Sequence, residues 1–291
     1  TLSSSSAASD VYKRQVLHLL YARFWHKVLF DLGHLSTTEP FQKLVNQGLI
    51  LGEDGQKMSK SLGNVVNPDD VIAEYGADSL RLYEMFMGPL EQVKPWQMQG
   101  VDGVHRFLAR VWRLAMEEQA DGTWLVSKQL DAQPCADGAV RKVVHETIKK
   151  VGEDIERLAF NTAISQMMVC TKALMSLERV PHPELLLLLR VLNPFAPHLT
   201  EELNSLLGET KMLCQQVWPN FDPEALVETE VEVVVQVNGK LRDRLRLAPD
   251  APEELAREAA LASRKVQELL EGKSLRKFIY VPGRLVNLVI G

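Results

Sequence analysis

Between Val101 and Leu207 apolar residues return every three or four positions, and this periodicity restricts the chain more than any other feature. Val104, Phe107, Leu108, Val111 and Ala115 form one stripe, with Trp112 beside it. Val140, Val144, Ile148, Val151 and Ile155 form a second, and Phe160, Ala163, Ile164, Met167 and Leu174 a third. Each stripe is one face of a 3.6-residue helix that must be buried against a neighbour, so a helical bundle is expected. Methionine at this spacing reads as core filling. A fourth helix runs from Pro183 to Leu192, and the two prolines of Asn193-Pro194-Phe195-Ala196-Pro197-His198 break it. A fresh helix starts near Thr200, with Glu201 and Glu202 in its first turn. His198 reads as a packed or cap-adjacent histidine, since no nucleophile or metal ligand accompanies it.

The period changes near the end. Val231, Val233, Val235 and Val237 alternate with Glu232, Val234 and Gln236, which is the pattern of a half-buried strand, and Asn238-Gly239 turns the chain. A two-residue turn would set Val235 opposite Arg242 and Val233 opposite Arg244, mixing apolar and basic groups on one face. A three-residue loop Val237-Asn238-Gly239 with Gly239 left-handed sets Val235 opposite Leu241 and Val231 opposite Leu245, and is therefore expected. It buries one face and displays Lys240, Arg242, Arg244 and Arg246 on the other. A helix from about Pro252 to Glu271, stopped by Gly272, and strands Leu275 to Val281 and Leu285 to Ile290 complete a ββαββ unit.

Ahead of the bundle, Leu17, Leu20, Phe24, Val28 and Leu32 recur at helical spacing up to Gly33. Asn67-Pro68-Asp69-Asp70 is a helix start with a side-chain cap, a proline at the first position and acidic groups at the positive end of the helix. That helix runs to Tyr75 and stops at Gly76; another spans about Asp78 to Met87. Between these helical segments lies Gly52-Glu53-Asp54-Gly55-Gln56-Lys57-Met58-Ser59-Lys60-Ser61-Leu62-Gly63-Asn64. It is polar and bracketed by glycines, which let a backbone turn or approach a ligand closely. Two ammonium groups three residues apart repel one another unless an anion lies between them, so this loop is a candidate anion clamp.

Composition narrows the remaining classes. The net charge is −5, which excludes a uniformly basic nucleic-acid binder, yet residues 231–291 carry 11 Lys+Arg against 8 Asp+Glu and the rest 22 against 30. Any polyanion should meet mainly the tail. Cys135, Cys170 and Cys214 are odd in number and far apart, offering neither a disulfide framework nor a zinc spacing, which fits a reducing compartment. His145-Glu146-Thr147-Ile148-Lys149 opens like a zinc-protease motif but has Lys where the second His must stand, so no metal site is expected. No apolar run approaches the roughly 18 residues of a membrane span. Thr1 to Ser9 is nearly all Ser, Ala and Thr, and residues 1–15 read as a disordered leader foreign to the fold.

Lys57 to Ser61 reads KMSKS, and with Leu19-Leu20-Tyr21-Ala22-Arg23-Phe24-Trp25-His26-Lys27, Tyr75-Gly76-Ala77-Asp78, Asn193 to His198, Val235 to Lys240 and Ile279 to Gly283 the chain from Val16 onward resembles the C-terminal part of the bacterial or organellar leucyl-tRNA synthetases. The resemblance implies a multidomain, mainly α chain: residues 16–98 as the C-terminal part of a class I catalytic domain, 99–222 as an anticodon-binding-like helical bundle, and 223–291 as a ββαββ domain that contacts tRNA. It also implies ATP as substrate with Mg2+ on its phosphates, leucine, tRNA(Leu), a monomer, and a cytoplasmic, chloroplast or mitochondrial location. Lys57 and Lys60 would act on the phosphates, with Met58, Ser59 and Ser61 completing the ATP contact. Lys240, Arg242, Arg244, Arg276, Lys277 and Arg284 are the candidates for tRNA phosphates. The family's His-x-Gly-His signature, editing domain and Gly-Gly-x-Glu-His stretch would precede Val16, so the 291 residues by themselves are expected to be inactive. A valyl- or isoleucyl-type synthetase and a non-catalytic tRNA-binding module are the alternatives; the ββαββ tail favours the leucyl reading over the first.

Overall fold

A computed structural model describes residues 19–227, 231–270 and 274–291. The expected leader, Val16, Leu17 and the stop at Glu271-Gly272 lie outside the described residues. The chain divides into two compact units, one reaching Val66 and including Gly88–Gln97, the other combining Asn67–Met87 with Met98–Gly291.

In the first unit, α1 (Arg23–Asp31) occupies the expected helical segment, but none of its residues is buried. Leu20, Phe24, Trp25 and Leu32 are each more than half exposed. Polar contacts hold the helix: Arg23 grips Glu39 with two donors at 2.7 Å each, Lys27 adds an ion pair at 3.0 Å, and His26 Nε2 lies 2.7 Å from the Thr37 carbonyl. The Arg23 hydrogen bond, then that of Lys27, brings the Glu39 carboxyl down to about 2. A short strand β1 (Ile50–Leu51) begins the lysine loop.

In the second unit, α2 (Pro68–Tyr75) starts as expected, the Asp69 amide donating to Asn67 Oδ1 at 3.2 Å. Gly76 separates it from α3 (Ala77–Phe86). Back in the first unit, β2 (Lys94–Pro95) pairs in parallel with β1. A Cβ on Gly48 would stand 1.9 Å from the Gln92 carbonyl oxygen, so glycine is required where these segments meet.

The bundle begins with α4 (Met98–Ala115), whose buried residues are Val101, Val104, Phe107, Leu108, Val111, Leu114 and Ala115. It crosses α3 so closely that a Cβ on Gly100 would sit 2.3 Å from the Tyr83 ring. A small hairpin that the sequence pattern did not announce follows: β3 (Met116–Glu118) pairs antiparallel with β4 (Trp124–Val126). β5 (Leu130–Asp131) leads to α5 (Gly138–Glu156), capped by Asp137. Val140, Val144, Ile148 and Val151 are buried as expected, but Asp154 takes the last interior position, with Ile155 only half-buried. Asp154 accepts from Thr162 at 2.6 Å, Arg157 at 2.7 Å and Lys150 at 2.9 Å, which compensates a carboxylate that is 1% exposed. α6 (Phe160–Met175) buries Ala163, Ile164, Met167 and Leu174, so Met167 is core as expected. β6 (Val180–Pro181) pairs with β5, and α7 (His182–Leu192) follows.

The next helix, α8 (Pro197–Leu206), starts three residues earlier than Thr200. Its start has no cap from its own chain segment; Asp78, 7% exposed on α3, supplies one. Asp78 Oδ2 accepts the Leu199 amide at 2.7 Å, and Oδ1 lies 2.8 Å from His198 Nδ1. Arg81, one turn along α3, donates to the Pro194 carbonyl at 3.0 Å. The proline-broken turn is therefore bound to α3 at both ends, and His198, cap-adjacent as expected, gains an acid partner.

The tail is a four-stranded sheet, β7 (Val231–Val237), β8 (Lys240–Leu247), β9 (Leu275–Val281) and β10 (Leu285–Ile290), in spatial order β8-β7-β10-β9. The expected three-residue loop is not found. Asn238 and Gly239 both have positive φ, 51° and 76°, and Val237 lies directly opposite Lys240, a two-residue turn. A bulge between Val235 and Gln236 absorbs Arg242, so Val235 faces Asp243, Val233 faces Leu245 and Val231 faces Leu247. Asn238 favours this turn because its side chain continues the ladder, accepting from the Ile290 amide at 3.0 Å and donating to the Ile290 carbonyl at 3.2 Å. The helix expected from Pro252 is two: α9 (Glu253–Ala262) and α10 (Arg264–Leu270), broken at Ser263. The break has a purpose: Ser263 Oγ and Lys265 Nζ both donate to Asp243, the carboxylate that the bulge turns toward the helices, bringing it to about 2. Val233, Val235, Val286, Leu288, Ala256, Ala260 and Val266 form the core between sheet and helices.

Removing the cap at α8 should be felt through the bundle. Asp78→Ala is expected to lower the unfolding free energy by about 1–2 kcal/mol, because part-buried donors lose their acceptor. Urea unfolding followed by circular dichroism checks this; an unchanged midpoint would show that the cap is dispensable.

Candidate functional site

The lysine loop is built from short contacts within itself. Leu51 and Lys57 form an antiparallel bridge, with the Gly52 amide donating to the Gln56 carbonyl at 2.8 Å. Two side chains then close the structure. Asp54 accepts the Gln56 amide at 2.9 Å and the Asn64 amide group at 3.1 Å. Asn64 in turn accepts the Ser59 amide at 2.8 Å and reaches the Lys57 carbonyl at 3.4 Å. Gly52 is buried beneath this pair, and a Cβ there would come 2.7 Å from Asp54 Oδ1 and 3.0 Å from Asn64 Nδ2.

This arrangement gives the two lysines different mounts. Lys57 stands at the base, on backbone tied to β1. Lys60 stands at the tip, inside the turn that the Leu62 amide closes by donating to the Ser59 carbonyl at 3.2 Å. Both side chains are exposed and neither ammonium has an ion-pair or hydrogen-bond partner among the described residues. Met58 is half-buried under the loop. The Ser59 hydroxyl accepts the Leu62 amide at 3.2 Å and lies 3.0 Å from Ser61 Oγ, so it serves the turn first. Two free cations on a preshaped loop can neutralise a polyphosphate, and the charge developing on it during displacement. The sequence pattern located the loop; Asp54 and Asn64, which hold it, carried no signal beyond being polar.

The tail's cations are more dispersed than the alternation suggested. Arg244 and Arg246 lie opposite Val234 and Glu232, on the sheet face away from α9 and α10, where Arg244 pairs with Glu232 at 2.9 Å. Lys277, opposite Val289, shares that face. Lys240, opposite the buried Val237, starts on the helix side, and Arg242 stands at the bulge, so the expected single row is broken. Arg276 and Arg284 are exposed at strand ends. Elsewhere, His145 Nδ1 accepts the Asp222 amide at 3.1 Å, and burial lowers the imidazole pKa. Among the described residues no group of three His, Cys, Asp or Glu could hold a metal ion, and no helix is long and apolar enough to cross a membrane.

Asn64→Ala removes the acceptor of the Ser59 amide and the partner of Asp54. Amide exchange at residues 56–62 is expected to speed up by about threefold to tenfold, as a part-buried hydrogen bond worth ~0.5–1.5 kcal/mol is lost together with exposed ones. Unchanged exchange would mean that the loop is held otherwise.

With this geometry in hand, similarity to known proteins gains meaning. Residues 19–94 match the model of the tRNA synthetases class I (I, L, M and V), and residues 137–257 that of the anticodon-binding domain of tRNA ligase. The LeuRS of Agrobacterium radiobacter K84, solved as a ternary complex with tRNA and LeuAMS, is 33% identical over 96% of this chain with a TM-score of 0.64. The chain spans 37% of that protein's length. A methionyl-tRNA synthetase of Mycobacterium tuberculosis in complex with methionyl-adenylate is 18% identical over 64% of this chain and 42% of its own, with a TM-score of 0.47. A class I synthetase match around the lysine loop, an anticodon-binding match across the bundle, and a structural likeness along nearly the whole length agree: the chain belongs to the class I tRNA synthetases.

Proposed function

We propose that this chain is part of a leucine–tRNA ligase, which activates leucine with ATP to leucyl-adenylate and pyrophosphate and then transfers leucine to the 3′ end of tRNA(Leu). The observation carrying the reading is the 33% identity to a LeuRS, sustained over 96% of the chain and so including the four-stranded tail. In this reading residues 16–98 contribute the KMSKS side of the catalytic domain, 99–222 the anticodon-binding-like bundle, and 223–291 a tRNA-contacting domain. The uncovered apolar residues around α1 support a catalytic domain larger than the residues described here.

The chemistry assigned to this chain is electrostatic. ATP enters with Mg2+ on its phosphates as part of the substrate. Attack by the leucine carboxylate at the α-phosphorus expels pyrophosphate, and negative charge gathers on the leaving group. Lys57, anchored at the loop base, and Lys60, carried at the tip, meet that charge; a cation about 4 Å away contributes up to roughly 4 kcal/mol at an effective dielectric near 20. Removing one such group costs on the order of 100- to 1000-fold in rate. The tip position of Lys60 suits closing over ATP and opening for release. The lysine loop is one wall of this site, and the 291 residues alone do not perform the reaction.

Two measurements test these statements. Leucine-dependent exchange of labelled pyrophosphate into ATP should remain at background with the purified 291-residue chain; exchange above background would overturn its assignment as one wall of the site. For the tail, Arg244→Glu with Lys277→Glu should weaken binding of a tRNA(Leu) transcript and reduce the slope of log affinity against log salt by about one unit per lost phosphate contact. An unchanged slope would remove the sheet face from the tRNA interface.

A further inference from the structure

Helix α4 carries three arginines at i, i+4 and i+7: Arg106, Arg110 and Arg113. At 3.6 residues per turn they fall within about 60° of arc and span about 10 Å along the axis. All three are exposed. Arg106 is paired with Asp102 at 2.9 Å, whereas Arg110 and Arg113 have no ion-pair or hydrogen-bond partner among the described residues. Beside Arg113 lies a cavity of about 340 Å³, close to the lower end of the roughly 300–1,000 Å³ common for ligand pockets, whereas Arg110 lines a separate cavity with Phe107 and residues of α6. Arg113 belongs to both the row and the cavity wall.

Four rings stand in the cavity wall, those of Tyr75, His105, Trp112 and Trp124. Trp112 meets Trp124 of β4 edge-to-face at 6.1 Å, and Tyr75 meets His105 in the same way at 5.7 Å. Both tryptophans are only half-buried, so the pair has not been used up as core. The polar groups are equally defined. His105 Nδ1 lies 3.1 Å from the Tyr75 carbonyl and 3.1 Å from Ser79 Oγ. The Ser79 hydroxyl donates to the same carbonyl at 2.7 Å. His105 Nε2 has no partner among the described residues. Asp78, the one carboxylate in the wall, is spent on the cap of α8 and on His198, so the unpaired charge at the cavity is that of Arg113.

We infer that this cavity receives one unpaired nucleobase of a bound RNA, while Arg113 at its wall and Arg110 on the adjoining helix face hold phosphates of the same strand. Aromatic side chains in the wall supply stacking to any base face, and a free ring nitrogen supplies one hydrogen bond to a base edge. Arg110 adds a second unpaired cation outside the cavity, which suits a polynucleotide backbone more than a single nucleotide. The inference rests on the proposed tRNA-binding role, adding to it a site on the α3–α4–β4 side of the bundle, separate from the tail sheet.

The test uses the whole 291-residue chain, a tRNA(Leu) transcript, and AMP as the mononucleotide probe. Arg110→Ala with Arg113→Ala should lower tRNA affinity at least tenfold and flatten its salt dependence by about two units. Trp124→Ala should lower affinity about tenfold with the salt slope unchanged, since stacking releases no counterions. Trp124→Phe, which keeps a ring, should recover most of that loss, and His105→Ala should produce a smaller loss of the same kind. Binding of tRNA should quench tryptophan fluorescence less in Trp124→Phe than in the parent chain. Equal tRNA binding by the parent, Trp124→Ala and the double arginine variant overturns the inference and leaves the tRNA-binding role standing. AMP binding that depends on Trp124, with tRNA binding unaffected by its loss, also overturns it in favour of a mononucleotide site. A parent chain that binds no tRNA overturns both readings.

Discussion

The carboxylate of Asp78 joins parts of the chain that nothing local would bring together. The helix starting at Pro197 follows a turn with two prolines and has no cap of its own, so its first amides would be buried without acceptors. Asp78 reaches them from α3, 120 residues away in sequence, and also engages the His198 ring. Arg81 ties down the carbonyl of Pro194 from the same helix. The contact ties α3 to the start of α8, while α3 packs separately against α4 where Tyr83 meets Gly100. It also engages the one carboxylate in the wall of the cavity, which leaves Arg113 as the unpaired charge there.

The lysine loop obeys the same economy of contacts. Both cations of this loop are exposed, so its shape does not come from burying them. It comes from Asp54 and Asn64, two uncharged-partner contacts that fold the segment onto buried Gly52 while leaving Lys57 and Lys60 unpaired.

The tail shows how far a pattern can be followed and where it fails. The alternating valines correctly marked one buried face, and the conflict between Val235 and Arg242 was visible in the residues. Its resolution was not, because a loop of three residues and a turn of two with a later bulge both remove the clash. The choice depended on Asn238 pairing with Ile290, and on Ser263 and Lys265 being available to receive Asp243. Those partners lie 20 to 52 residues away, beyond any local rule. The α1 segment failed differently: its helical stripe was legible, but the burial that such a stripe normally implies is absent among the described residues.

By itself, then, the sequence determined the helices of the bundle, the strands and helical segment of the tail, and the position of the KMSKS loop. Each of these follows from the spacing of apolar residues or from the chemistry of a few consecutive side chains, which a chain carries wherever it folds. Tertiary structure alone decided that Asp78 caps α8, that the hairpin bulges at Arg242, and that the arginines of α4 run beside an aromatic cavity. These depend on which distant elements meet, and hydrogen-bond satisfaction inside the folded chain selects among arrangements that local spacing leaves equal.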